Sequence, residues 1–127
     1  MLAPKSFWKE TDSTDIQAED AIHEGHGTIL RRLFFRNKSR LAVNFDIWEL
    51  AAGVSEGNHS HDHDEALEEI YYFLQGHGKM MIAGQELPVG PGDAVLVPAG
   101  VGHGLYNTGT QPLRLVLLFG EPQASQE

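Results

Sequence analysis

The chain has 127 residues, 41% of them hydrophobic, no cysteine, and a formal charge of −9 from 9 Lys and Arg against 18 Asp and Glu. That length suits one domain with a real core, and the hydrophobic share excludes wholesale disorder. The acid excess argues against a phosphate backbone as partner, so no nucleic acid is expected, and the missing cysteines exclude disulfides and thiolate ligands, in keeping with a reducing, cytoplasmic setting.

Residues 1–27 read as a polar, acidic arm of irregular structure, with a turn of helix near Asp15–Ala21. The arm lacks the apolar core of a secretory leader, and no stretch of the chain approaches the roughly 20 apolar residues of a membrane span, so no membrane partner is expected. Strand-like runs then follow at Thr28–Phe35, Leu41–Leu50, Glu69–Leu74, Gly78–Ile82, Ala94–Val97, Gly104–Asn107 and Leu113–Phe119, parted by turn residues such as Ala83-Gly84-Gln85 and Gly90-Pro91-Gly92-Asp93. No sustained helical period follows residue 27, and many short, evenly spaced strands argue an antiparallel sandwich or barrel. The basic block Arg31, Arg32, Arg36, Lys38 and Arg40 reads as a solvated strand and turn, and His23, His26 and His77 as solvated turn residues. Residues 121–127 read as a flexible tail.

Chemistry concentrates in His59, His61, Glu69 and His103. His59 and His61 are two apart, so on a strand both side chains leave the same face. Glu69 runs in phase with Tyr71 and Phe73 and heads an inward row, where a carboxylate needs a cation or donor beside it. Imidazole and carboxylate together suit divalent first-row metals.

The spacing carries a resemblance. Gly53 precedes His59-Ser60-His61 by five residues and Glu69 precedes Gly76 by six; further on stand Gly92, Pro98-Ala99-Gly100, His103 and Asn107. These positions resemble the two motifs of the cupin superfamily, over residues 53–107. The resemblance implies an all-β, double-stranded β-helix (a cupin jelly-roll barrel) over residues 28–120, preceded by the irregular arm. It further implies a divalent ion (Fe, Mn, Ni or Zn) in the barrel mouth on His59, His61, Glu69 and His103, and a homodimer formed through edge strands or exchanged N-terminal segments. Gly92, Pro98, Gly100 and Asn107 are assigned to backbone geometry.

One interval departs from the pattern. Seven residues, Asp62 to Glu68, separate His61 from Glu69 where the family usually has three or four. A register using His61 and His63 narrows that gap but places Gly53 two residues too far away, so His59 and His61 are preferred. His63, Asp64, Glu65 and Glu68 then form an acidic segment above the metal that offers a general acid or base. Two functional classes follow. The first is a metalloenzyme (oxygenase, isomerase, lyase or cyclase) acting on a small organic molecule; the alternative is a non-catalytic cupin module that binds a small molecule or metal.

Overall fold

Alternation of side chains builds this molecule. In Glu68–Gln75 the odd positions Glu69, Tyr71 and Phe73 are buried while Ile70, Tyr72 and Leu74 are exposed. Leu113–Gly120 does the same with Leu113, Leu115 and Leu117 inside. The two strands pair antiparallel, Leu115 opposite Phe73 and Leu117 opposite Tyr71, so one large apolar face forms across them. The computed structural model of the chain describes residues 6–60 and 66–123.

Among the described residues, ten strands are arranged in two antiparallel sheets. They are β1 (Ile16–Asp20), β2 (Thr28–Phe34), β3 (Asn44–Leu50), β4 (Ser55–His59), β5 (Glu68–Gln75), β6 (Gly78–Ile82), β7 (Gln85–Val89), β8 (Ala94–Val97), β9 (His103–Tyr106) and β10 (Leu113–Gly120). One sheet runs β1-β2-β3-β10-β5-β8 and the other β4-β9-β6-β7. Ile29, Trp48, Leu50, Tyr71, Phe73, Met80, Leu105 and the three β10 leucines fill the space between them. The result is the jelly-roll barrel expected from the sequence.

The arm differs from expectation in one respect. Ile16–Asp20 is a strand and not a turn of helix, because it finds a partner: all five residues pair with β2, Ile16 opposite Arg32 and Asp20 opposite Thr28. Between β1 and β2 the chain makes a tight turn, Ile22–Glu24, in which His23 and Glu24, like Ala21 just before it, take positive φ. Strands β4 and β7 also escape the hydrophobic pattern, because Ser-Glu-Gly-Asn-His and Gln-Glu-Leu-Pro-Val offer little apolar alternation. Among the described residues no helix is long and apolar enough to cross a membrane.

The motif turns serve the barrel as expected. Gly92 and Gly100 sit at φ +88 and +84, where a side chain would be strained. Asn107 is buried and acts as a staple: its Nδ2 donates to the carbonyls of Leu50 and Gln111, and its Oδ1 accepts from the Gly109 amide.

Candidate metal centre

His59 ends β4 and His103 begins β9, and the two residues lie directly opposite each other in the antiparallel register. Their ring centroids are 4.2 Å apart. Glu69 enters from β5 in the other sheet, and its Oε1 lies 2.8 Å from Nε2 of His103. One ligand atom from each of His59, Glu69 and His103 falls within 4.8 Å of the others. His103 and Glu69 are 2% and 5% exposed, so the group sits inside the barrel mouth and not on its rim.

The backbone sets which nitrogen of each ring faces inward. Nδ1 of His59 is 2.9 Å from the Gly57 carbonyl, and Nδ1 of His103 is 2.9 Å from the Val101 carbonyl. A carbonyl only accepts, so Nδ1 carries a proton in both rings; Nε2 is the atom left to bind a metal, and in metal-free His103 it donates to the Glu69 carboxylate, which only accepts. Both Nε2 atoms therefore present a donor to the same small volume, with the ring plane held from behind, which is the usual second layer of a histidine metal site. Two imidazoles and a carboxylate disposed in this way fit a divalent first-row ion.

Two residues outside the expected set join the group. Glu56 is 2% exposed, and its Oε2 lies 3.8 Å from Nε2 of His59 and 4.0 Å from Nε2 of His23. His23 comes from the arm and stacks on His59 with ring centroids 3.6 Å apart and planes 12° from parallel. Sequence spacing conceals Glu56, since residues three apart on a regular strand face opposite ways. A bulge reverses that: Glu56 opposes Leu105 and His59 opposes His103, three residues on β4 against two on β9. His23 carries no local signal at all, because its place depends on a long-range approach. His26 and Ser55 exchange backbone hydrogen bonds, and a Cβ on Gly57 would lie 2.0 Å from the His23 carbonyl oxygen. Only glycine at position 57 lets the arm lie this close.

Burial and neighbouring charge shape the protons here. Desolvation, then the charge on Glu69, raises the Glu56 carboxyl from 4.5 to about 8, despite opposing help from His103, Tyr71 and Arg31. Burial alone pushes the His103 imidazole down, but the hydrogen bond and charge of Glu69, with the Val101 carbonyl and Glu56, outweigh it and hold His103 above its ordinary value. Tyr71 is pushed up by burial and by the two carboxylates its hydroxyl lies between, each 3.5 Å away.

Beside the donors lies a cavity of about 150 Å³, lined by His23, Glu56 and Glu69 together with Arg31, Trp48 and Phe119. Arg31 is not the solvated residue that the basic block suggests. It shares an inward row with Ile29 and Leu33, its guanidinium is 5.5 Å from the centre of the Trp48 ring, and it pairs with Glu19 and with fully buried Asp46. Arg36 and the Trp48 indole N–H complete the shell around Asp46.

His61, the remaining member of the expected set, lies outside the described residues, as do His63, Asp64 and Glu65. Glu68 opens β5 beside Glu69 and, by alternation, leaves from the other face.

Residues 46–119 match the cupin domain family model. An oxalate-binding protein of Thermotoga maritima is 33% identical over 91 residues, covering 72% of this chain and 70% of its own. The crystal structure of a predicted oxalate decarboxylase from Thermotoga maritima superposes with a TM-score of 0.76 at 26% identity, over 88% of this chain and 97% of that one. A cupin 2 conserved barrel domain protein from Salinispora arenicola gives 0.71 at 17% identity over 93% and 91%, a likeness of fold. Family model, barrel topology and motif positions agree: the chain belongs to the cupin domain family.

Proposed function

We propose that this cupin holds a divalent metal ion on His59, Glu69 and His103, together with His61, and that a small organic acid binds in the cavity beside it. The observation that carries the reading is the pair of histidines opposed across β4 and β9, each with Nδ1 tied to a backbone carbonyl, and grouped with Glu69 so that one ligand atom of each lies within 4.8 Å of the others. A bound divalent ion supplies Lewis-acid polarisation of a carbonyl or carboxylate oxygen. The chain's own residues do the rest: the two carbonyls orient the imidazoles, Trp48 and Phe119 give the cavity apolar lining, and Arg31 adds a positive group to it.

Size and charge select the ligand class. A cavity of about 150 Å³ is well below the several hundred Å³ of sites for large organic ligands, so it suits a molecule of a few heavy atoms. The Glu69 carboxylate at its edge repels an acid unless a cation stands between, so the acid binds better once the metal is in place. The oxalate-binding relative supports a dicarboxylate or keto acid. We favour a metalloenzyme acting on such an acid; the name of that same relative favours, as a second reading, a module that binds without turnover. Protein purified without chelator or affinity tag is tested by metal analysis, then by calorimetry and product analysis with oxalate and a panel of small keto acids. Acid binding that requires metal and disappears in His103→Ala supports the site; binding that survives metal removal refutes it, and turnover separates the enzyme from the module.

A homodimer belongs to the same reading. Ile70, Tyr72 and Leu74 of β5 and Leu96 of edge strand β8 form an exposed, uncharged row on a chain of formal charge −9, which is where two equal acidic copies can meet.

A further inference from the structure

The cavity beside the metal group takes its walls from two parts of the chain. Trp48, Leu117 and Phe119 belong to the barrel strands, while Glu19, Ile22 and His23 come from the N-terminal arm, outside the residues 46–119 that match the family model. Ile22 and His23 are neighbours in sequence with different contacts. Ile22 is partly buried and packs against the barrel core. His23 lies over the metal group, its ring stacked on that of His59 with centroids 3.6 Å apart. A single turn of the arm thus touches both the apolar core and the donor group, and both of its side chains line the cavity.

The plain explanation is a connection between β1 and β2 that happens to pack where it does. A two-residue hairpin would join two antiparallel strands as well. Residues 21–27 are used instead, and they are held in place at a cost. Ala21, His23 and Glu24 sit at φ 50, 52 and 64, a backbone that is unfavourable at each non-glycine residue and persists only where the surroundings enforce it. The Ala21 amide donates to the Gly27 carbonyl and closes the turn on itself. The His26 amide donates to the Ser55 carbonyl, and the Ser55 amide donates back to that of His26. A Cβ on Gly25 would lie 2.1 Å from the Ser55 carbonyl oxygen and one on Gly57 2.0 Å from that of His23, so two glycines let the arm and β4 touch. The turn is an anchored wall.

From this placement we infer that the β1–β2 turn determines the specificity of the acid site: Ile22 and His23 set how large an acid the cavity admits, and hold it to a short head group without a bulky tail. The inference rests on the reading above, since it needs an acid bound in this cavity beside a metal. It makes the arm the part of the chain that chooses among acids sharing one head group. An α-keto acid presents the same carboxylate and carbonyl oxygens to an ion whatever its tail, so discrimination falls to the side chains that the tail meets. Those of an anchored turn cannot yield, and added volume is met with strain. One methylene more or less in such a pocket changes preference about 10–200-fold.

The test uses the full chain, stripped of metal, loaded with Co(II) and titrated with pyruvate and with phenylpyruvate, two keto acids with one head group and different tails. Binding is read by calorimetry and by the visible d–d absorption of the ion, neither of which needs turnover. Co(II) affinity is measured first in each variant, so that the acids are titrated into loaded protein. The wild type is expected to bind pyruvate at least about tenfold more tightly than phenylpyruvate. Ile22→Ala is expected to shift that ratio at least about tenfold toward phenylpyruvate, and Ile22→Val to shift it less. His23→Asn, which keeps a residue tolerant of positive φ, is expected to shift it in the same direction. Binding of phenylpyruvate confined to these variants supports the wall equally. Val89→Ala is the control for a loosened core, being buried but outside the cavity lining. Equal binding of both acids by the wild type, an unchanged ratio in folded Ile22→Ala and Ile22→Val, or the same shift in Val89→Ala overturns the inference and leaves the acid site standing. If no Co(II) is taken up, or neither acid binds to any of the loaded proteins, the reading of the site falls and the inference with it.

Discussion

Replacing Glu56 with glutamine separates the cost of this carboxylate from its use. In the metal-free protein the carboxyl is raised from 4.5 to about 8, chiefly by desolvation and next by the charge on Glu69. A carboxyl whose folded-state pKa is raised keeps its proton in the native state while the unfolded chain has already released it. Stability from this group is therefore greatest below pH 4.5 and declines as pH rises toward 8, by about 1.36 kcal/mol per pH unit. At pH 7 the accumulated cost is (7 − 4.5) × 1.36, on the order of 3 kcal/mol, and at pH 5 it is under about 1 kcal/mol. Glutamine does not titrate, has nearly the same shape and still offers an oxygen to the Tyr71 hydroxyl, whose present contact of 3.5 Å is long. The metal-free Glu56→Gln protein is expected to melt roughly 10 °C above wild type at pH 7, with most of that gain absent at pH 5. Thermal melts with chelator at both pH values measure it. A variant that is destabilised, or a gain equal at the two pH values, refutes the assignment of Glu56 as a desolvated carboxyl.

Two further outcomes follow from the same geometry. Asp46 is fully buried among Arg31, Arg36 and the Trp48 indole, so Asp46→Ala leaves two guanidinium groups without their carboxylate and is expected to cost about 3–5 kcal/mol in urea unfolding, against well under 1 kcal/mol for an exposed pair such as Lys79 and Glu86. His103 is held above its ordinary value by Glu69, yet its Nε2 must be unprotonated to bind a metal; Co(II) binding at pH 6 is expected to release protons and to strengthen as pH rises, so that calorimetry in buffers of different ionisation enthalpy gives different apparent heats, and identical heats would refute a ligand role for His103.

What the sequence by itself determined is what repeats with a short period or a fixed spacing. The alternation of Glu69, Tyr71 and Phe73 placed a carboxylate on the inward row, and the register confirms that phase opposite Phe119, Leu117 and Leu115. The turn glycines and Asn107 were legible because positive φ and side-chain caps select few residue types. His59 and His103 stood at motif spacings that a barrel brings face to face. What only the tertiary structure decided depends on contacts between distant segments. Glu56 is out of phase with His59 until a bulge absorbs one residue, and a bulge has no period to detect. Ile16–Asp20 is extended because β2 lies beside it, a pairing that its own composition does not specify. Arg31 reads as surface because it is charged, and it is partly buried because it pairs with Asp46 and Glu19. His23, one of seven histidines and 36 residues before His59, reaches the His59 ring through two glycines that permit backbone contact. Local spacing sets the strands and their faces; close approach between segments far apart in the chain sets which donors meet.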